Sequence, residues 1–264
     1  MSSEYNADIN TVNFSISGWS GSGATSLALI LTKLFNYQNL YLGSVFRYVG
    51  KKLGYSEEGF NRPKSDDLIE PIIGPTADRY RDYKLIEGER IIVDSDIGTF
   101  LIGKHPKIFS IFLKSDFEER VKKVVKDERE GAMEVLKHRD EINQKFFREL
   151  HDIDIFDEEL INRKFNFVLD NTHVSIESEV KMVIDELRLI PHFKTSFDLD
   201  EISSRVNEEV KDFALIGKDE YKEKLIKSNF ITSPEEIIKD MTKYFPEDVA
   251  EFPEKIQKIF LGMD

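Results

Sequence analysis

The sequence predicts an α/β fold, a five-stranded parallel sheet flanked by helices with a helical appendage at the carboxyl end, and three observations carry that expectation. Apolar runs of strand length recur at 12–17, 39–43, 90–94, 108–113 and 165–171, separated by segments with helical spacing, the pattern of strands covered on both faces. A glycine-rich turn, ISGWSGSGATSLA at 16–28, joins the first of those strands to the first helix. Beyond residue 190 no strand pattern returns and the texture is helical.

Taken in order, VNFSIS (12–17) is β-rich and stops at glycines, after which LALILTKLF (27–35) is apolar at helical spacing. NLYLG (39–43) reads as the second buried strand, with Ser44 placed to cap a helix through VFRYVGKKL. The polar stretch holding Pro63, Pro71 and Pro75 predicts two short helices. RIIVD and IFSIFL are the third and fourth strands, FEERVKKVVKDE (117–128) a charged helix, FNFVLDN the fifth strand and IESEVKMVIDEL (176–187) an amphipathic helix. The division expected is a tail at 1–10, a main domain at 11–190 with a lid near 128–158, and a helical extension at 191–264. That extension reads as three helical pieces within 200–217, 232–245 and 246–260, the second opened by Ser233 as cap and Pro234 at the first helical position. KDEYKEK, between them, reads as a solvated helix face with i, i+4 pairing.

Composition narrows the partners. A net charge of −13 opposes binding to a phosphate polymer, while leaving room for a small anionic ligand on a local cluster of arginines and N–H groups. With no cysteine there is no disulfide framework or thiolate metal site, and the five histidines lack ligand spacing. No uncharged apolar run reaches about 18 residues and the start resembles no signal peptide, so a cytoplasmic location is expected.

The glycine turn fits a phosphate loop, in which two glycines bracket four residues and a lysine and a hydroxyl residue follow. Gly18 and Gly23 hold the glycine positions and Thr25 the hydroxyl position, but Ala24 stands where the lysine belongs. Main-chain N–H groups from Gly18, Ser20, Gly21, Ser22, Gly23, Ala24, Thr25 and Ser26 and the positive end of the next helix can still bind phosphate. Thr25 and Asp94, which ends a strand, are the expected magnesium ligands. A dinucleotide site would need an acid at the end of the second strand, which reads NLYLGS, and a nucleophile elbow would need glycine at position 22, where Ser22 stands. A tight turn with no ligand remains open, and Trp19 reads either as a cover for phosphate or base or as a shield for the helix end.

The order of motifs resembles the cytidylate kinases, especially the compact archaeal type, among the nucleoside monophosphate kinases of the P-loop NTPase fold. The likeness covers about residues 12–190. It rests on ISGWSGSGATS, on YLGSVFRYVGKKLGYSEEGF, on IIVDSD, on EREG and KHRDEINQKFFRELHDID as the lid, and on FNFVLDNT. The resemblance implies ATP and Mg2+ as donor and metal, CMP or dCMP as acceptor, and substrate contacts from Arg47, Gly43 and, in the 78–81 segment, Arg79 or Arg81. It also implies catalytic roles for Asp94 and for the lid arginines Arg129 and Arg139, with Arg120 on a further basic position. The departures are Ala24, Asp96 where an acceptor-binding arginine is usual, and Gln144 and Phe146 on lid positions that are usually cationic.

Phosphoryl transfer depends on positioning and on cations facing the developing charge, one such cation being worth about 10³ to 10⁵ in rate. Lys104, Lys107, Lys137 and Lys145 are the candidates to replace what is missing. Two functions follow: a nucleoside monophosphate kinase-like phosphotransferase with impaired or altered catalysis, and an inactive kinase-shaped module that senses nucleotide or acts through protein partners. Phe245, Phe252, Ile259 and Phe260 of the extension are expected to dock on the core or on a second copy of the chain.

Overall fold

A computed structural model describes residues 12–55, 69–126, 132–190 and 197–263. Strand β1 (Asn13–Gly18) runs into helix α1 (Ala24–Phe35), followed by β2 (Gln38–Leu40), α2 (Gly43–Lys52), α3 (Ile69–Glu87), β3 (Ile91–Asp94) and α4 (Gly98–Ile102). Next come β4 (Ile108–Lys114), α5 (Phe117–Lys126), α6 (Ala132–His151), α7 (Glu158–Lys164), β5 (Phe167–Asp170) and α8 (Ile176–Leu189). The extension adds α9 (Leu199–Ile216), α10 (Lys218–Lys227), α11 (Pro234–Tyr244), α12 (Pro246–Ala250) and α13 (Glu254–Phe260).

The five strands form one parallel sheet in the order β2-β3-β1-β4-β5, as the continuous apolar runs predict. Phe14 and Ile16 of β1 are fully buried, and so is the face of α1 carrying Leu27, Ala28, Ile30 and Leu31. β1 sits between β3 and β4, so the chain leaves the sheet in opposite directions on its two sides. The crevice that this reversal opens at the carboxyl ends of β1 and β3 is where such sheets bind ligands.

Several local details differ from the sequence reading. Ser44 does not cap α2: the helix begins one residue earlier, no side chain caps it, and the Ser44 hydroxyl donates to the Tyr41 carbonyl at 2.7 Å. Instead of two short helices, the described part of the proline-containing stretch is one 19-residue helix, α3, with Pro75 inside it. Residues 56–68 lie outside the described residues. Among the described residues the extension holds five helices: besides the three pieces expected, the helix face read at KDEYKEK is a separate helix, α10, and the last piece breaks at Pro253. Ser233 does cap α11, in a reciprocal box with Glu236.

The extension covers both faces of the sheet. Leu199, Ile202, Val206 and Val210 of α9 join the cluster formed by β1, α1 and α8. Ile237, Ile238, Met241, Phe252, Ile256, Ile259 and Phe260 join the cluster on the other face with α2 and α3, and Phe245 packs against it. The aromatic residues of the tail therefore dock on the chain's own core. No helix among the described residues is long and apolar enough to cross a membrane.

Candidate phosphate and nucleotide site

The glycine loop is curled, and what curls it lies outside it. Gly21 and Gly23 adopt φ values of 80° and 104°, which side-chain-bearing residues rarely reach. Behind the loop the Ser20 carbonyl accepts from Arg120 Nη1 at 2.9 Å. The Ser22 carbonyl accepts from Asn171 Nδ2 at 2.8 Å and Lys123 Nζ at 3.2 Å. A planar trans peptide points its N–H opposite to the preceding carbonyl. Holding these two carbonyls outward therefore turns the N–H groups of Gly21 and Gly23 inward. The Ser22 N–H is spent within the loop, on the Trp19 carbonyl at 2.9 Å. α1 starts at Ala24 with no side-chain cap, leaving the first-turn N–H groups of Ala24, Thr25 and Ser26 to face an anion. Gly18 is required by space: a Cβ there would lie 2.7 Å from the Leu113 carbonyl and against the Ser22 hydroxyl, itself a buried group without a hydrogen-bond partner.

Thr25 and Asp94 meet at the floor of the crevice, the threonine hydroxyl bonding the carboxylate. Burial pushes Asp94 up to about 6; Asp96 raises it further, while Thr25, Lys222 and Arg47 pull the other way. A hydroxyl and a carboxylate are hard oxygen donors of the kind that hold magnesium beside a phosphate chain. Among the described residues no group of three or more His, Asp or Glu could hold a metal ion.

Of the residues expected to contact an acceptor, Gly43 packs against the Tyr41 ring, a Cβ there falling 3.3 Å from it. Arg47, one turn further along α2, is exposed with its guanidinium 4.8 Å from the centre of the same ring. Arg79 is engaged elsewhere, bidentate to Asp248 of the extension at 2.6 and 2.7 Å and 4.8 Å from the Phe245 ring centre. Arg81 is fully buried among Asp78, Asp82 and Ser95: Nε bonds Asp82 at 2.8 Å, whereas Nη2 lies 2.6 Å from the same carboxylate without hydrogen-bond alignment.

Helix α6, in the stretch expected to form a lid, meets the loop through polar contacts. Asp140 pairs with the buried Arg120 at 2.8 Å, Asn143 donates to the Ser20 hydroxyl at 3.3 Å, and Asp140 lies within the field of both Arg139 and Asp96. Arg139 is half-buried, and Arg129 lies outside the described residues. Gln144 donates to Asp154 at 3.0 Å and Phe146 packs on Phe147. Trp19 is turned away from the crevice, its Nε1 donating to the Ile155 carbonyl at 3.1 Å and its ring against Phe112 and Phe156. It seals the loop against α7 and the chain before it.

None of the four suggested replacement lysines is seen to enter the crevice: Lys107 donates to the Ile86 carbonyl, Lys145 pairs weakly with Glu149, and Lys104 and Lys137 are exposed. The lysine that does approach is Lys222 of α10, which the sequence reading placed on a solvated face. Its neighbours Tyr221 and Leu225 are buried, an i, i+4 apolar pair within a charged helix that marks the inward side. The outward carbonyl clamp of Arg120, Lys123 and Asn171 also escaped the sequence, since those residues lie about 100 or more positions from the loop.

The sequence profile of the cytidylate kinase-like family matches residues 13–173. The cytidylate kinase of Pyrobaculum islandicum is 26% identical over 191 residues, covering 70% of this chain and 97% of that protein. That of Thermococcus kodakarensis is 27% identical over 181 residues, covering 65% and 87%. A crystal structure of an uncharacterized protein from Eubacterium ventriosum is 16% identical with a TM-score of 0.49, covering 66% of this chain and 97% of that one. With the profile spanning the glycine loop, the Asp94 strand and the lid, the chain belongs to the cytidylate kinase-like family.

Proposed function

We propose that this chain binds ATP with Mg2+ at the glycine loop and transfers the γ-phosphoryl group to a nucleoside monophosphate, CMP or dCMP, with catalysis altered by its unusual cations. The observation carrying this reading is the set of N–H groups of Gly21, Gly23, Ala24, Thr25 and Ser26, none of them used within the loop, beside the Thr25–Asp94 pair. Gly18, Ser20, Ser22 and Gly23 shape the cradle, and Ala24 contributes its N–H in place of an amine. In the transfer the bond from the γ-phosphorus to its bridging oxygen breaks, an oxygen of the acceptor phosphate forms the new bond, and ADP leaves. Thr25 and Asp94 would hold magnesium, which would supply positive charge against the donor phosphates. Arg47 and the backbone at Gly43 orient the acceptor, with Arg79 a further acceptor contact only when released from Asp248. Arg139, together with Arg129 from the stretch outside the described residues, is assigned to the transferred group as a source of positive charge. A cytoplasmic setting suits this chemistry.

The second reading, an inactive module that senses nucleotide or acts through protein partners, draws on Arg81 and Arg120, whose guanidinium groups are committed to internal carboxylates. A coupled assay across the nucleoside monophosphates, run on the wild type and on Ala24→Lys, separates the two. Turnover with a pyrimidine monophosphate in the wild type supports the kinase. ATP-dependent thermal stabilisation without turnover in either protein supports the sensor, and no stabilisation at millimolar nucleotide overturns both.

A further inference from the structure

Lys222 is held differently from Lys224 and Lys227 of the same helix. Lys224 pairs with Asp212 at 2.6 Å and Lys227 with Glu223 at 3.6 Å, both on the outer surface. The Lys222 ammonium instead lies 3.7 Å from the centre of the Tyr41 ring, the ring on which Arg47 also stacks, and it interacts electrostatically with Asp94, the partner of Thr25. Its position is fixed from two sides. Tyr221 and Leu225 are buried with Leu29 of α1, and the Tyr221 hydroxyl bonds Glu209 of α9. Just after α10, Ile231 bridges Asn39 of β2, the Asn39 N–H donating to the Phe230 carbonyl at 2.7 Å and Thr232 N–H to the Asn39 carbonyl at 3.0 Å. The strand that carries Tyr41 at its end is thus the strand to which the extension is stitched.

We propose that Lys222 is the amine of this phosphate site, delivered by the helical extension instead of from position 24, and that it faces the terminal phosphates of a bound nucleoside triphosphate. The inference rests on the nucleotide-binding reading above and deepens it. Ala24 leaves the anion with backbone donors alone; Lys222 is brought to the Thr25–Asp94 end of the same crevice on a flexible four-carbon stem with three donors. Burial and the adjacent Arg47 lower its pKa to about 8, against the pull of Asp94, so the amine is mainly charged at neutral pH. It acts as a fixed positive charge and neither gives nor takes a proton. Residue 222 lies outside the stretch matched by the family profile, so this is a property of the extension.

The test uses the full-length protein and calorimetric titration with ATP and with inorganic tripolyphosphate, each with and without Mg2+. Lys222→Met is expected to weaken both ligands about 10- to 100-fold, the range for losing a charged hydrogen-bond partner, while Lys222→Arg retains most of the affinity. Ala24→Lys combined with Lys222→Met is expected to recover at least tenfold. Should Lys222→Met fail to fold, the 13Cε resonance of Lys222 in the wild type replaces it and should move on titration with tripolyphosphate. Affinity within twofold of wild type in Lys222→Met, affinity raised by it, or an unmoved 13Cε resonance overturns the proposal while leaving nucleotide binding intact. A raised affinity would identify Lys222 as a plug of the site. Absence of binding by the wild type overturns the nucleotide reading itself.

Discussion

The part of the chain that the family profile matches and the part beyond it treat positive charge in opposite ways. Within residues 13–173 three arginines are turned to structural duty, Arg81 between two aspartates, Arg120 between the loop and Asp140, and Arg148 on Asp154, while Arg47 stays exposed beside Tyr41. The extension takes one more cation away, by pairing Asp248 with Arg79, and brings one in, Lys222 on Tyr41. Loop geometry and loop charge have become separate problems in this molecule. The first is solved within the matched stretch, by clamps on the Ser20 and Ser22 carbonyls from about 100 to 150 residues away, and the second, on the proposal above, from about 200 residues away.

The most drastic way to break that comparison is to end the chain at residue 190. Leu199, Ile202, Val206 and Val210 then leave the cluster around α1, and at about 1.5–3 kcal/mol for each buried side chain the loss is roughly 6–12 kcal/mol, the whole stability of an ordinary domain. The truncated protein should aggregate, eluting in the void volume of a gel-filtration column. A soluble, folded product would show the extension to be an accessory after all. Next in size is Gly18→Ala, whose methyl would meet the Leu113 carbonyl 2.7 Å away. Overpacking of that kind costs about 1–3 kcal/mol, read as a lower denaturation midpoint, and the distorted loop should bind ATP at least about tenfold more weakly.

Glu179 sharpens the loop side of the comparison. Burial lifts it to about 7, against the pull of Lys123 and the Asn171 hydrogen bond. Because its folded pKa lies above its unfolded one, ionisation opposes folding: the cost is full above about pH 7 and vanishes as pH falls to about 4.5. Unfolding experiments at pH 8 and pH 4.5 should therefore show wild type gaining about 1–3 kcal/mol relative to Glu179→Gln on acidification. A constant difference between the two proteins would mean that the carboxylate stays charged. The smallest effect is expected from Asp248→Ala. The Arg79 side chain is 60% exposed, so losing this pair should cost under about 1 kcal/mol, visible only as a slight fall in melting temperature.

Much of this architecture was legible because it rests on short-range pattern. The strand runs, the glycine spacing and the strand-end Asp94 gave the sheet and its crevice, and Ser233-Pro234 gave the start of α11. What was not legible depends on contacts across the chain. α2 begins ahead of Ser44 because that hydroxyl binds Tyr41, and Trp19 turns away because Ile155 offers it a carbonyl. Charge patterning alone made Lys222 look like its solvated neighbours, since nothing local reveals that Tyr221 and Leu225 turn that part of α10 toward Leu29. The fate of Arg79 was hidden likewise, its partner lying 169 positions away.

The bridge between Asn39 and Ile231 has a temporal side. β2 is a border strand of the sheet, and an uncovered border invites pairing with foreign strands. On a ribosome adding roughly 5–20 residues per second, residue 231 is made about 10–40 s after residue 39. For that interval the newborn sheet edge has no cover from this bridge, so synthesis of this protein includes a period of exposure that ends only when the segment after α10 emerges.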